Sequence, residues 1–501
     1  MILEGGTIYT GDVDIPRVRG LPIDNRGRVT RGVEAWEGDR SAVSNERIDL
    51  GGRTVVPGFV DAHVHFLSWA LAADRVDVRA APTGAAALEQ VSARAHDDRA
   101  HGKDGEWLIG AGWNDAMLAT IANPGAALDA AAGGRPAALW ARDHHALWLS
   151  TRAMEQLGLA GDPIHRERDA WSVALPAPSR TACQRAVATG QRAAHALGIT
   201  GVHDFEQRGG RRTWQELDLD GRVSLRVVSS VSAEQLDALG EIGLISGYGS
   251  EHVLTGPVKA FCDGTLGART AAMLAPYADG GLGELLLDQP ALCELITAAS
   301  DQGLAVALHA IGDAAVRTAL TALEATRPAW SRLADERPPR IEHAQLVDPA
   351  DLHRFADLGV VASMQPVHAV EDRLAAEAAW GDRSGGAYAW GPLLRSGATL
   401  VLGSDAPISP LAPLAAIAAA CGQPFVDGHA ISAEEALRAI TVEPSRIAGL
   451  ARRVGRLTPG MAADLVVLDA DPLTTDPAAI AEISVVATMV GGRWVHGRPP
   501  W

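Results

Sequence analysis

At 501 residues the chain exceeds what one hydrophobic core usually organises, so a large domain plus a smaller module is the starting expectation. Its composition, 47% hydrophobic and 21% charged, is that of an ordinary globular protein and excludes disorder over most of the length. A formal net charge of −17 argues against a nucleic-acid partner, because sequence-independent binding needs clustered Lys and Arg to replace condensed counterions, and it disfavours anionic membranes for the same reason.

The opening Met1-Ile2-Leu3-Glu4-Gly5-Gly6 has no basic region ahead of an apolar core, so no secretory signal is expected. The apolar run near Leu411 to Cys421 is too short to span a bilayer and contains Pro413. A cytoplasmic protein with no membrane partner is the expectation. Cys183, Cys262, Cys293 and Cys421 show neither C-x-x-C pairing nor disulfide-framework spacing, which fits buried reduced thiols.

Residues 1–57 read as short strands broken by Gly5-Gly6, Asn25-Arg26-Gly27 and Gly51-Gly52. Residues 451–501 are also β-rich, with Ala463 to Asp469, Val485 to Val490 and Gly492 to Val495 as candidate strands. The two ends are expected to pair into one composite β-sandwich module. Between them, residues 58–450 alternate short apolar runs with Ala-rich helical stretches, the pattern of βα repetition around a parallel sheet. Eight candidate strands follow in order: Gly58 to His63, Ile199 to His203, Leu225 to Val228, Val258 to Phe261, Ala305 to His309, Arg340 to His343, Val360 to Met364, and Leu400 to Gly403. Two more strand-like runs, Trp107 to Gly110 and Ala137 to Trp140, are assigned to an insertion at about 68–180 after the first strand. Fold class α/β, a (β/α)₈ TIM barrel, is the expectation.

The strongest motif is Asp61-Ala62-His63-Val64-His65. Residues two apart on a strand point the same way, so both imidazoles can converge on one metal ion. His309, His343 and Asp405 each end an apolar strand-like run, and the carboxyl ends of parallel barrel strands share one face. The set gathers around one pocket despite its separation in sequence.

From His63 to Asp405 the chain resembles the amidohydrolase superfamily, closest to its family 3 branch, which includes N-substituted formamide deformylases. The resemblance extends to Gly112-Trp113-Asn114, Leu128-Asp129, Asp263 to Thr270, and the closing Gly455 to Leu468. It implies that His63, His65 and Asp405 bind one divalent metal and His309 and His343 a second. Lys259 would bridge them after N6-carboxylation, because an ammonium has no lone pair to offer. Zinc is the expected ion, one or two per chain, with manganese, iron or cobalt also compatible with imidazole and carboxylate ligands. The resemblance leaves a homodimer open.

The implied chemistry is hydrolysis of a non-peptide C–N bond in a small-molecule amide, N-formyl amide or cyclic amide, with Asp405 as general base and then acid. Deamination of a heterocyclic amine, ester or lactone hydrolysis, and a non-catalytic barrel that only binds are the alternatives. His145, Arg269, Asp263 and Trp113 are candidate substrate contacts. Each has a plainer reading: a surface histidine, an ion pair, a turn-forming Asp-Gly and a packed core ring. The tryptophans Trp107, Trp113, Trp140 and Trp148 of the insertion would either roof a pocket or pack that insertion.

Overall fold

The computed structural model describes residues 1–30, 46–73, 75–101, 106–141, 146–206, 209–422 and 424–499. The chain divides into two compact units, one of residues 1–69 and 184–501, the other of residues 70–183.

The first unit is built on eight parallel strands: β1 (Phe59–Val64), β2 (Ile199–Asp204), β3 (Arg226–Ser232), β4 (Val253–Phe261), β5 (Val306–Ala310), β6 (Arg340–His343), β7 (Val361–Met364) and β8 (Thr399–Leu402). They pair in chain order from β1 to β8, as a TIM barrel requires, and they match the eight strands read from sequence. Nearly every strand residue is buried, which is why these segments read as continuous apolar runs rather than alternating ones. Helices cover the outer face. In Asp313–Ala325 the buried Val316, Ala319, Leu320 and Leu323 recur at helical spacing, so a single stripe meets the sheet.

The seam between β8 and β1 is closed by the segments that follow them. The Asp405 N–H donates to the His63 carbonyl at 2.7 Å, and the His65 N–H donates to the Ala406 carbonyl at 2.9 Å. The Asp61 carboxylate accepts from the Ser404 N–H at 3.1 Å and from the His63 N–H at 3.0 Å. Such an approach needs glycine at 403, where a Cβ would lie 2.5 Å from the His63 nitrogen and 2.9 Å from its Cβ.

The chain ends form one mixed sheet, in the order Arg17–Pro22, Ile2–Tyr9, Thr54–Pro57, Leu465–Leu468, Val485–Val490 and Arg493–His496, with Arg47–Asp49 beside Ile2–Tyr9. The central pairing joins Thr54–Pro57 to Leu465–Leu468 antiparallel, so the module exists only when both termini contribute. Its core includes Leu3, Ile8, Val55, Leu465, Val467 and Met489. Arg226 on β3 pairs with the buried Asp464 at 2.9 Å and fastens the module to the barrel.

In the second unit, a five-stranded sheet runs Ile164–Arg166, Ala146–Leu149, Ala137–Ala141, Leu108–Trp113 and Val76–Asp77. Helix Gly84–Ala100 starts on a Thr83 side chain that accepts the Ala86 N–H. Trp113 and Trp148 meet edge to face at 6.3 Å inside its core. No helix among the described residues is long and apolar enough to cross a membrane.

Candidate metal centre

The carboxyl ends of β1, β4, β5, β6 and β8 bring together the residues singled out from sequence. One donor set is His63, His65 and Asp405, whose ligand atoms all lie within 4.8 Å of one another. Asp405 Oδ1 is 3.5 Å from His63 Nε2 and 3.3 Å from His65 Nε2. The His343 ring lies 5.0 Å from that of His63 and 4.6 Å from that of His309. Lys259, 3% exposed, puts its ammonium over Phe205 at 4.8 Å and Phe261 at 5.2 Å.

Two of these residues reach the pocket through unusual backbone. His343 has φ +74° and Asp405 φ +59°. Non-glycine residues in the left-handed region are uncommon and concentrate at functional sites, where the surrounding structure over-determines them.

A bound metal requires neutral imidazoles whose lone pairs face it. His63 Nδ1 is 2.6 Å from the Glu342 carboxylate, an acceptor, so Nδ1 carries the proton and Nε2 offers its lone pair toward Asp405. His343 Nδ1 donates to Gln365 Oε1 at 2.9 Å, which likewise frees Nε2. His309 is the reverse: Nε2 donates to the Gly264 carbonyl at 3.0 Å and leaves Nδ1 free. Burial, with the charge of Lys259 next, lowers the pKa of His309 to about 4. Burial is also the main reason that His63 and His343 fall well below the usual histidine value. Burial opposes ionisation of Asp405, but the hydrogen bond from His65 outweighs it, and the carboxyl sits at about 2. Neutral nitrogen donors around a carboxylate are what a divalent cation needs, and the residues fit one.

Beneath this layer lies a buried polar chain. Arg340 pairs with Glu342, donates to the Ala62 carbonyl and to Ser363 Oγ at 2.7 Å each, and reaches His203 Nδ1 at 2.8 Å. Burial works against a charged Glu342, yet Arg340 and Lys259 bring its pKa below the usual value. Glu342 thereby stays a carboxylate and orients His63.

The structure gives three of the expected substrate contacts partners within the protein. Asp263 has 0% side-chain exposure, and its two oxygens accept the N–H groups of Ile311, Gly312 and Ala272 at 2.9–3.0 Å. It is an anchor for the loop after β5, because those amides satisfy both oxygens. Trp113 is 1% exposed and its indole N–H donates to the Leu139 carbonyl at 2.6 Å, leaving no face for a ligand. Arg269 pairs with Asp279 at 3.3 Å and stands over Tyr277 instead of joining the cluster. His145 lies outside the described residues.

Sequence reasoning missed Glu342, Arg340 and His368. The last belongs to a second donor set, His343, His368 and Asp405, also within 4.8 Å. Its signal was the Gln365-Pro366-Val367-His368 segment directly after the seventh strand, too common in form to single out.

A sequence profile of the amidohydrolase family matches residues 46–496. The chain is 28% identical over 554 residues to the protein LONG AFTER FAR-RED 3 of Arabidopsis thaliana, covering 99% of this chain and 91% of that one. It is 24% identical over 519 residues to an N-substituted formamide deformylase of Arthrobacter pascens, covering 92% of each. Among solved structures, a metal-dependent hydrolase from Pyrococcus furiosus superposes with a TM-score of 0.80 at 30% identity, over 94% of this chain and 99% of that one.

Proposed function

The chain belongs to the amidohydrolase family, and we propose that within it this protein cleaves a non-peptide C–N bond of a small amide, N-formyl amide or cyclic amide. It is a metal-dependent hydrolase. The observation that carries this reading is the convergence of four histidines, three of them neutral with fixed tautomers, and one carboxylate at the ends of four barrel strands. The similarity to an N-substituted formamide deformylase supports an amide-type substrate.

His63, His65 and Asp405 would hold one divalent ion, and His309 and His343 a second. Imidazole with carboxylate suits zinc. When bound, the metal supplies Lewis-acid polarisation of the carbonyl and brings the pKa of water toward about 7. Lys259 would bridge after its amine adds to carbon dioxide and releases a proton. Burial lowers its pKa to about 8, which makes the neutral amine accessible near neutral pH. Asp405, ionised at neutral pH, takes a proton from the attacking water and returns it to the departing nitrogen as the C–N bond breaks.

The test is metal content by elemental analysis of protein purified without chelator, with amine release from N-formyl, N-acyl and cyclic amides measured before and after metal removal. Stoichiometric metal and metal-dependent amine release are expected. Protein that holds no metal and gains no activity with added zinc or manganese would refute the proposal.

A further inference from the structure

We infer that His368 is a further catalytic residue of this centre, donating a hydrogen bond from its Nε2–H to the oxygen of the carbonyl under attack. The inference rests on the amide-hydrolysis reading and deepens it.

His368 sits on the short helix Pro366–Glu371 that follows β7, and it is 5% exposed. Its Nδ1 faces the Gln345 amide nitrogen at 3.5 Å. With the Gln345 amide nitrogen as donor, Nδ1 accepts and the proton resides on Nε2, the tautomer this inference assigns. That Nε2 is buried and has no hydrogen-bond partner among the described residues. The nearest charged atom is Asp405 Oδ2 at 3.8 Å, beyond hydrogen-bonding distance. Buried donors in native proteins are nearly always paired, and an exception at a reactive centre points to a partner that arrives with the substrate.

Its placement matches that role. Asp405 turns Oδ1 toward His63 and His65 and Oδ2 toward His368. The His368 ring lies parallel to that of His343, 7° between planes and 6.3 Å between centroids, so it borders the pocket on the side away from the His-x-His pair. A carbonyl within reach of the base Asp405 is therefore also within reach of Nε2–H. As water adds, a C–O bond forms and the carbonyl π pair moves onto oxygen, where the N–H meets the developing charge. Collapse restores the C=O and expels the amine with the proton that Asp405 carried. His368 keeps its own proton throughout.

The competing role is metal ligation, since His368, His343 and Asp405 could together surround an ion. The proton on Nε2 opposes it, because the nitrogen facing the group is a donor.

Two variants separate the roles, because a glutamine amide nitrogen reaches about as far as Nε2 whereas an asparagine amide stops near Nδ1. His368→Asn should lower kcat by about 10²–10³ with KM changed less than about threefold, and His368→Gln should recover most of the rate. Both should keep wild-type metal content by elemental analysis. Metal lost from either variant, or wild-type kcat in His368→Asn, overturns the inference. The ¹⁵N-histidine spectrum of metal-loaded wild type needs no variant to fold: a proton on Nε2 of His368 is expected, and one on Nδ1 overturns the assignment. A wild-type protein that turns over no amide removes the parent reading and this inference together, an outcome distinct from an active His368→Asn.

Discussion

Replacing Glu342 by glutamine keeps the shape of the side chain and removes one charge from a site with no access to water. Glu342 is 0% exposed and Arg340 4%, and the carboxylate accepts from the guanidinium and from His63 Nδ1 at 2.6 Å. Two separate losses follow. Leaving the Arg340 guanidinium without its counter-charge should cost about 3–5 kcal/mol, a large part of a typical total stability of about 5–15 kcal/mol. A weaker acceptor at Nδ1 makes His63 a poorer donor at Nε2, for which about 10–100-fold in metal affinity is expected. Urea unfolding of metal-free protein reads the first, and titration against a competing chelator the second. Replacing both partners, Arg340→Met with Glu342→Gln, should restore part of the stability but none of the metal affinity, because only the first loss stems from the unpaired guanidinium. An unchanged unfolding midpoint together with unchanged metal affinity in Glu342→Gln would refute the idea that this carboxylate holds His63.

Asp405→Asn should fold normally and lose turnover by about 10²–10⁴, measured as amine release, whereas His63→Ala should lose metal as well. Lys259→Ala separates one metal from two: a fall from two equivalents to one by elemental analysis is expected, and unchanged content would remove the lysine bridge. Acid stability follows from His203, whose pKa burial and the Arg340 charge lower to about 3. The folded protein keeps this imidazole neutral while the unfolded chain binds a proton near its ordinary value of 6.5, so its contribution is complete above that pH and is lost as pH falls toward 3. Urea unfolding from pH 7 to pH 4 should show a decline whose slope His203→Gln reduces by about 1.4 kcal/mol per pH unit. An equal slope in both proteins would mean that His203 does not titrate on unfolding.

The barrel was legible because parallel strands buried on both faces leave unbroken apolar runs in sequence, and all eight fell where those runs lie. The histidines and Asp405 were legible as strand ends. Arg340 and Glu342 were not, because charged residues two apart on a strand ordinarily read as a solvent face. Here that face is the barrel interior, and their charges satisfy one another. Asp263 and Trp113 stood inside family motifs, yet a motif does not tell whether a polar atom is already bonded. The Asp263 oxygens meet backbone amides and the Trp113 indole N–H meets a carbonyl.

The same limit explains the two residues that matter most at the pocket. Strict alternation along β6 would send His343 to the face opposite Arg340 and Glu342, out of the barrel. A φ of +74° takes it out of extended geometry, so its ring joins His309 and His63 instead. Asp405 does the same beyond β8, held by its own N–H on the His63 carbonyl. That hydrogen bond depends in turn on the close approach that Gly403 permits and on the Asp61 carboxylate that receives Ser404 and His63. The sequence therefore names the donors, while their convergence is a property of the closed seam: the contact that completes the barrel is the one that brings the carboxylate to the His-x-His pair.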